Sequence, residues 1–259
     1  MNVNRRLRLL RDQDGATNDT ESTAGDRRLS GDWVRQAVSQ IPMPSSPVDG
    51  HWEVSVSAFV RPHLPPALRR VPQLLDRLGA VRLSPIEITV DSTSIAWTDV
   101  AEIRARPLSD VLTSMTIDGV RETIESLLPV SRLAKRPIRW LTDKLSEVVL
   151  SLFLIGLDER GDQQVPIEVI YRGRRNTEHA VTPGVLSAAV LALPKVAEST
   201  LATARAHGVR VILGPQPVGG VGMDFLRARK AELAARITGL RAAEAAGGEL
   251  AVADQCGEV

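Results

Sequence analysis

Arg132, Lys135, Arg136, Arg139 and Lys144 crowd one short stretch, opposed only by Asp143 between positions 130 and 144. They run into apolar residues that include Trp140 and Phe153. A helix of this composition suits an anionic membrane surface, where each cation contributes about 1 kcal/mol at the headgroups. The competing reading is a core helix with a solvated amino-terminal end. It is the stronger of the two, because apolar stripes on helices of globular proteins normally face the core. A second cluster, Tyr171-Arg172-Gly173-Arg174-Arg175, follows a strand-like run. Forked guanidinium donors and backbone amides around a glycine suit a phosphate on a lipid headgroup, a nucleotide or RNA. A charged loop looks the same, and a short arginine tract without an aromatic series argues against nucleic acid. The candidate phosphate or headgroup ligands are therefore Arg132, Lys135, Arg136, Arg139, Arg172, Arg174 and Arg175.

Other chemistry is thinner. His51, His63, His179 and His207 lie in separate segments, none with a second His or Cys at metal-ligand spacing, so no metal site is expected. No G-x-S-x-G elbow is present, and no catalytic residue can be named. Residues 214 to 222 place glycines where a phosphate-cradling loop would sit. They lack a Gly-Lys-Ser/Thr ending and G-x-G-x-x-G spacing, and Pro215 and Pro217 remove amide donors, so a linker is expected and no cofactor. Asp99 and Glu102 read as turn and solvent residues, and His207 before Gly208 as a cation at a helix end.

Composition sets the frame for these candidates. The chain has 259 residues, 43% of them hydrophobic, and a net charge of +1 from 32 basic and 31 acidic side chains. That is enough for a normal core and gives no overall drive towards nucleic acid. Cys256 is the single cysteine, so no intramolecular disulfide is available and a cytoplasmic setting is expected. The amino terminus shows no secretory apolar run, and the longest apolar stretch, 148 to 157, is short of the roughly 20 residues that span a bilayer.

The elements follow from periodicity. Residues 1–31 are polar and read as a disordered tail. A short helix is expected from Asp32 to Ile41, a strand from Trp52 to Val60, and a helix from Ala67 to Leu78. The run IEITVDSTSIAWTDVAEIRAR, residues 86 to 106, alternates apolar Ile86, Ile88 and Val90 with polar Glu87 and Thr89. With turn formers at 91 to 94 it reads as a β-hairpin. Helical spacing then runs from Ile117 to Leu128 and from Ile138 to Ile155. A strand at 165 to 171, helices at 183–193 and 195–206, and a strand at 209–213 complete a core domain over 32–213. The linker at 214–222 leads to a helix at 223–246 and a polar tail at 247–259. That helix carries a loose stripe of Phe225, Leu226, Leu233, Ile237 and Leu240, and reads either as docked on the core or as an arm suited to homo-oligomerisation, the linker and tail favouring the arm slightly.

The stretch Ile88-Thr89-Val90-Asp91-Ser92-Thr93-Ser94-Ile95-Ala96-Trp97-Thr98-Asp99-Val100-Ala101-Glu102-Ile103 resembles bacterial pleckstrin-homology-like and GRAM-like domains. The chain as a whole looks like uncharacterised conserved proteins of high-GC bacteria, which imply no activity. The resemblance implies a bent antiparallel sheet or partly open barrel capped by a helix, used for binding or scaffolding without catalysis. The expected fold is α+β, a curved antiparallel sheet with a helical insertion and a carboxy-terminal helix. The expected function is a non-catalytic binding or scaffolding protein, with a protein partner or an anionic membrane surface at the inner membrane face. Two other classes stay open: an enzyme with a loop-assembled site, and a nucleic-acid accessory protein.

Overall fold

The computed structural model describes residues 33–64, 76, 79–114, 117–127, 135–173, 176–215 and 227–242. The expected terminal tails, most of the 67–78 helix and most of the 214–222 linker lie outside them. The described residues from Val34 onward belong to one compact unit.

Ser55 decides where the first strand stops. Val54, Val56, Ala58 and Val60 alternate as in a strand, yet only Trp52–Ser55 (β1) is extended. Ser55, at φ −125° and ψ 148°, accepts a hydrogen bond from Ser57 N at 3.2 Å and caps the helix Val56–Val60 (α2). Val56, Phe59 and Val60 then fall at helical spacing and are all buried. β1 pairs with Ala80–Leu83 (β2), β2 with Glu87–Val90 (β3) and β3 with Thr93–Ala96 (β4), an antiparallel meander in chain order. The expected hairpin is β3–β4. Its two turn residues are Asp91 and Ser92, and Asp91 sits at φ +56°, a conformation that Asp tolerates better than most side chains. The expected alternation fails at two places. Ile86 is 74% exposed, because it precedes the strand in the Ser84 turn, where its amide donates to Ser84 Oγ at 3.3 Å and its carbonyl accepts from Trp97 N at 3.0 Å. Thr89 is buried, because β3 is covered on both faces from Ile88 to Val90.

The chain then leaves this sheet. Val100–Pro107 (β5) belongs to a second four-stranded sheet with Gln164–Arg172 (β6), Glu178–Val181 (β7) and Arg210–Leu213 (β8), in the order β7-β6-β5-β8. β5, β6 and β7 are antiparallel, whereas β8 runs parallel to β5. The fold is α+β. Among the described residues the eight strands form two separate sheets rather than a closed barrel.

Helices Trp33–Gln40 (α1), Leu108–Ser114 (α3), Ile117–Leu127 (α4), Lys135–Arg160 (α5), Val185–Leu191 (α6) and Pro194–Ala206 (α7) surround the sheets. α5 is the centre: every side chain from Lys144 to Phe153 is buried, Phe153 included. No described helix is by itself long and apolar enough to cross a membrane. The α6–α7 corner is wedged against α5, where a Cβ on Gly156 would stand 2.5 Å from Ala192 O, and a Cβ on Gly79 would stand 2.6 Å from Leu186 Cβ. Pro194 opens α7 at a position that needs no amide donor, and His207 with Gly208 at φ +72° closes it, as the sequence predicts. Residues between α1 and β1 strap across α7: Ser199 Oγ donates to Pro44 O at 3.3 Å, and Val48 N donates to Thr203 Oγ1 at 2.9 Å.

The last described helix, 227–242 (α8), is docked and is not a free arm. Leu233 and Ile237 are buried, Arg229 donates to Leu112 O at 2.8 Å, and Arg241 Nε reaches the buried Glu147 of α5 at 2.8 Å.

Candidate functional site

The two basic clusters are only partly described. Arg132, Arg174 and Arg175 lie outside the described residues, and of Lys135 and Arg136 the backbone alone is described, in the first turn of α5. Arg139 is exposed on the next turn and Trp140 is half-buried. Lys144 does not join the cluster: it is buried, with Nζ 3.1 Å from Glu147 Oε2. The apolar stripe that made α5 a membrane candidate, as far as it is described, faces the core. Arg172 is exposed at the end of β6, and its amide donates to Asp99 O at 2.8 Å. Across the same turn, Gly173 N donates to Thr177 O, and Tyr171 stacks on His179 with centroids 5.4 Å apart.

Glu102 is not the solvent residue its sequence context suggests. It is 3% exposed, although its neighbour Arg104 is half exposed. Register explains the burial: Glu102 pairs across β5–β8 with Arg210, and Arg104 pairs across β5–β6 with Glu168. Arg104 Nε donates to Glu102 at 2.8 Å and its Nη1 to Glu168 at 2.9 Å, while Arg210 closes on the other oxygen of Glu102. The result is an ion ladder over three strands. The Arg104 hydrogen bond holds the Glu102 carboxyl below its ordinary range; burial opposes this, and Arg210 adds to it. Every charge in the ladder has a neighbour of opposite sign, so it fixes the sheet and presents no unmatched cation to a ligand. His207 is equally structural, stacking on the buried Trp97 at 5.7 Å with the rings 7° apart.

A different place is concave. Where α1, the strap, the carboxyl end of α5 and the α6–α7 corner meet, a cleft of about 300 Å³ is lined by ten residues. Val38, Ile41, Met43, Ile155, Leu193 and Pro194 make its apolar surface, and Arg35, Ser39, Glu159 and Lys195 its polar one. The rim is held by ion pairs. Asp158 on α5 binds Arg35 of α1 at 2.7 Å and Lys230 of α8 at 2.6 Å. Burial works against the Asp158 carboxylate, but hydrogen bonds from Lys230 and Arg35 hold it below the usual carboxylate range. Glu198 on α7 is held by Arg160 at 2.7 Å, with Lys195 farther off at 3.8 Å. The hydroxyl in the lining, Ser39 Oγ, donates to Gln36 O at 2.7 Å.

Sequence reasoning missed this site because its walls come from three distant segments, 35–43, 155–159 and 193–195, and no motif links them. The one signal was the apolar face of α1, where Val38 and Ile41 fall on one side. Among the described residues no group of three His, Cys, Asp or Glu side chains is placed to hold a metal ion. Set beside family models, curated proteins and solved structures, the chain finds no match in any of the three.

Proposed function

We propose that the protein is a binding module that does no chemistry on its ligand, and that a small, largely apolar ligand seats in the cleft between α1, α5 and α7. The cleft carries this reading. Its volume falls at the low end of the roughly 300–1,000 Å³ occupied by ligand pockets, its surface is mainly apolar, and a few charged groups stand at its edge. Its one described hydroxyl, Ser39 Oγ, donates to the Gln36 carbonyl and the described lining holds no histidine to act as its base, which supports holding rather than nucleophilic attack. Kinship with pleckstrin-homology-like domains is part of the proposal. A four-strand meander, then the β5–β6–β7 meander, then helices support it, while α3–α5 inserted between β5 and β6 and the parallel β8 depart from the pattern.

The test uses a neutral apolar fluorophore, Nile red, on the full chain. One saturable site is expected, and Ile155→Trp, which fills the cleft from α5, should abolish it while leaving the circular dichroism spectrum unchanged. Equal binding by the variant would place the apolar site elsewhere and overturn the proposal. The exposed Arg139 and Arg172 support contact with anionic surfaces as a second reading. Sedimentation with phosphatidylglycerol vesicles at low salt, lost in Arg139→Gln with Arg172→Gln, would uphold it, and indifference to such vesicles would remove it.

A further inference from the structure

Charge around the cleft says more about its ligand than shape does. We infer that the cleft takes an amphiphilic monoanion, a chain of apolar carbons ending in a single carboxylate, with the head beside Lys195 and the chain against Val38, Ile41, Met43, Ile155 and Leu193. The inference rests on the reading of the cleft as a ligand site. At about 30 Å³ per water-sized group, a cleft of about 300 Å³ accepts roughly ten such groups.

The rim is short of carboxylates. Arg35 and Lys230 share one acid, Asp158; Arg160 and Lys195 share another, Glu198. With Glu159, three carboxylates face four cations. Lys195 is the cation held most loosely: its side chain is 56% exposed, and its nearest acid is 3.8 Å away and already taken by Arg160 at 2.7 Å. Lys195 also stands in the first turn of α7, whose capping residue Leu193 provides no side-chain acceptor, so the amide end of that helix adds partial positive charge on the same side. Glu159 is the one carboxylate in the lining, against Arg35 and Lys195, so the lining itself carries an excess of positive charge. A neutral amphiphile would leave Lys195 with only the distant, shared Glu198, and a cationic one would meet Arg35 and Lys195 in the lining.

The experiment compares decanoate, 1-decanol and decyltrimethylammonium by calorimetry on the full chain at low salt, below the concentrations at which they aggregate. Decanoate should bind most tightly, about fivefold to tenfold better than decanol, with the ammonium weakest. Octanoate should bind more weakly than decanoate by about threefold to fourfold per methylene removed. Lys195→Gln should reduce the preference for decanoate over decanol by about twofold to fivefold without changing decanol binding. Equal affinity for decanoate and decanol, or preference for the ammonium, overturns the inference and leaves the cleft as a neutral apolar site that still takes Nile red. Binding by none of the three overturns it too, and the Nile red measurement then decides separately whether the cleft reading survives. The comparison among heads on the unaltered protein stands whether or not any variant folds.

Discussion

Asp91 joins two parts of the chain that the sequence keeps far apart. Its Oδ2 accepts from Gly184 N at 3.0 Å, at the start of α6, while its backbone makes the β3–β4 turn at φ +56°. Burial raises its pKa, and the hydrogen bonds from Gly184 and Ser187 pull back against that rise. Asp91→Ala should cost about 1–2 kcal/mol, since it removes the acceptor and puts a residue with no local hydrogen bonding in the left-handed region; urea denaturation measures it. Asp91→Asn keeps the turn and should match or exceed the parent at neutral pH, with the advantage vanishing in acid. The sign follows from linkage: a raised carboxyl contributes stability below its unfolded pKa and loses it as the pH rises through the folded value. Glu102 runs the other way. Its folded pKa is lowered, so its contribution is complete above the unfolded value and disappears as the pH falls through the folded one. Glu102→Gln should therefore lower the melting temperature at pH 7 and flatten its decline towards pH 3.

At the scale of elements, the α6–α7 corner and α8 are the packing joints. Gly156→Ala should destabilise the protein, because the added methyl meets Ala192 O. Overpacking of about 1–3 kcal/mol exceeds the gain of about 1 kcal/mol in helix propensity. Ile237→Ala should cost about 2–5 kcal/mol if α8 is docked as described, whereas a free arm would tolerate it within about 0.5 kcal/mol. What the sequence made legible at this scale had enough length for a period to show. α5, α7, β6 and the β3–β4 hairpin were visible in this way. β2 was not, because Ala80-Val81-Arg82-Leu83 is four residues behind a masking Gly79. β7 was not either, because Glu178-His179-Ala180 is exposed throughout and no alternation marks it. Over Val56–Val60 the same residues satisfy both periods, and only the capping hydrogen bond at Ser55 separates them.

The whole molecule depends on contacts that no local pattern encodes. β8 runs beside β5 with Arg210 opposite Glu102, and the cleft lies where α1 and the strap return across α5 and α7. Neither is written in spacing, which is why the candidate site read from charge clusters and the concave site in the fold are different places. Binding in that cleft is the central claim, and methyl-resolved NMR of the full chain titrated with decanoate tests it most directly. Saturable shifts are expected at Val38, Ile41, Met43, Ile155 and Leu193, with little change on the outer strands β7 and β8. Shifts centred on Val181, Ile212 or Leu213, or spread evenly over the core, would contradict it.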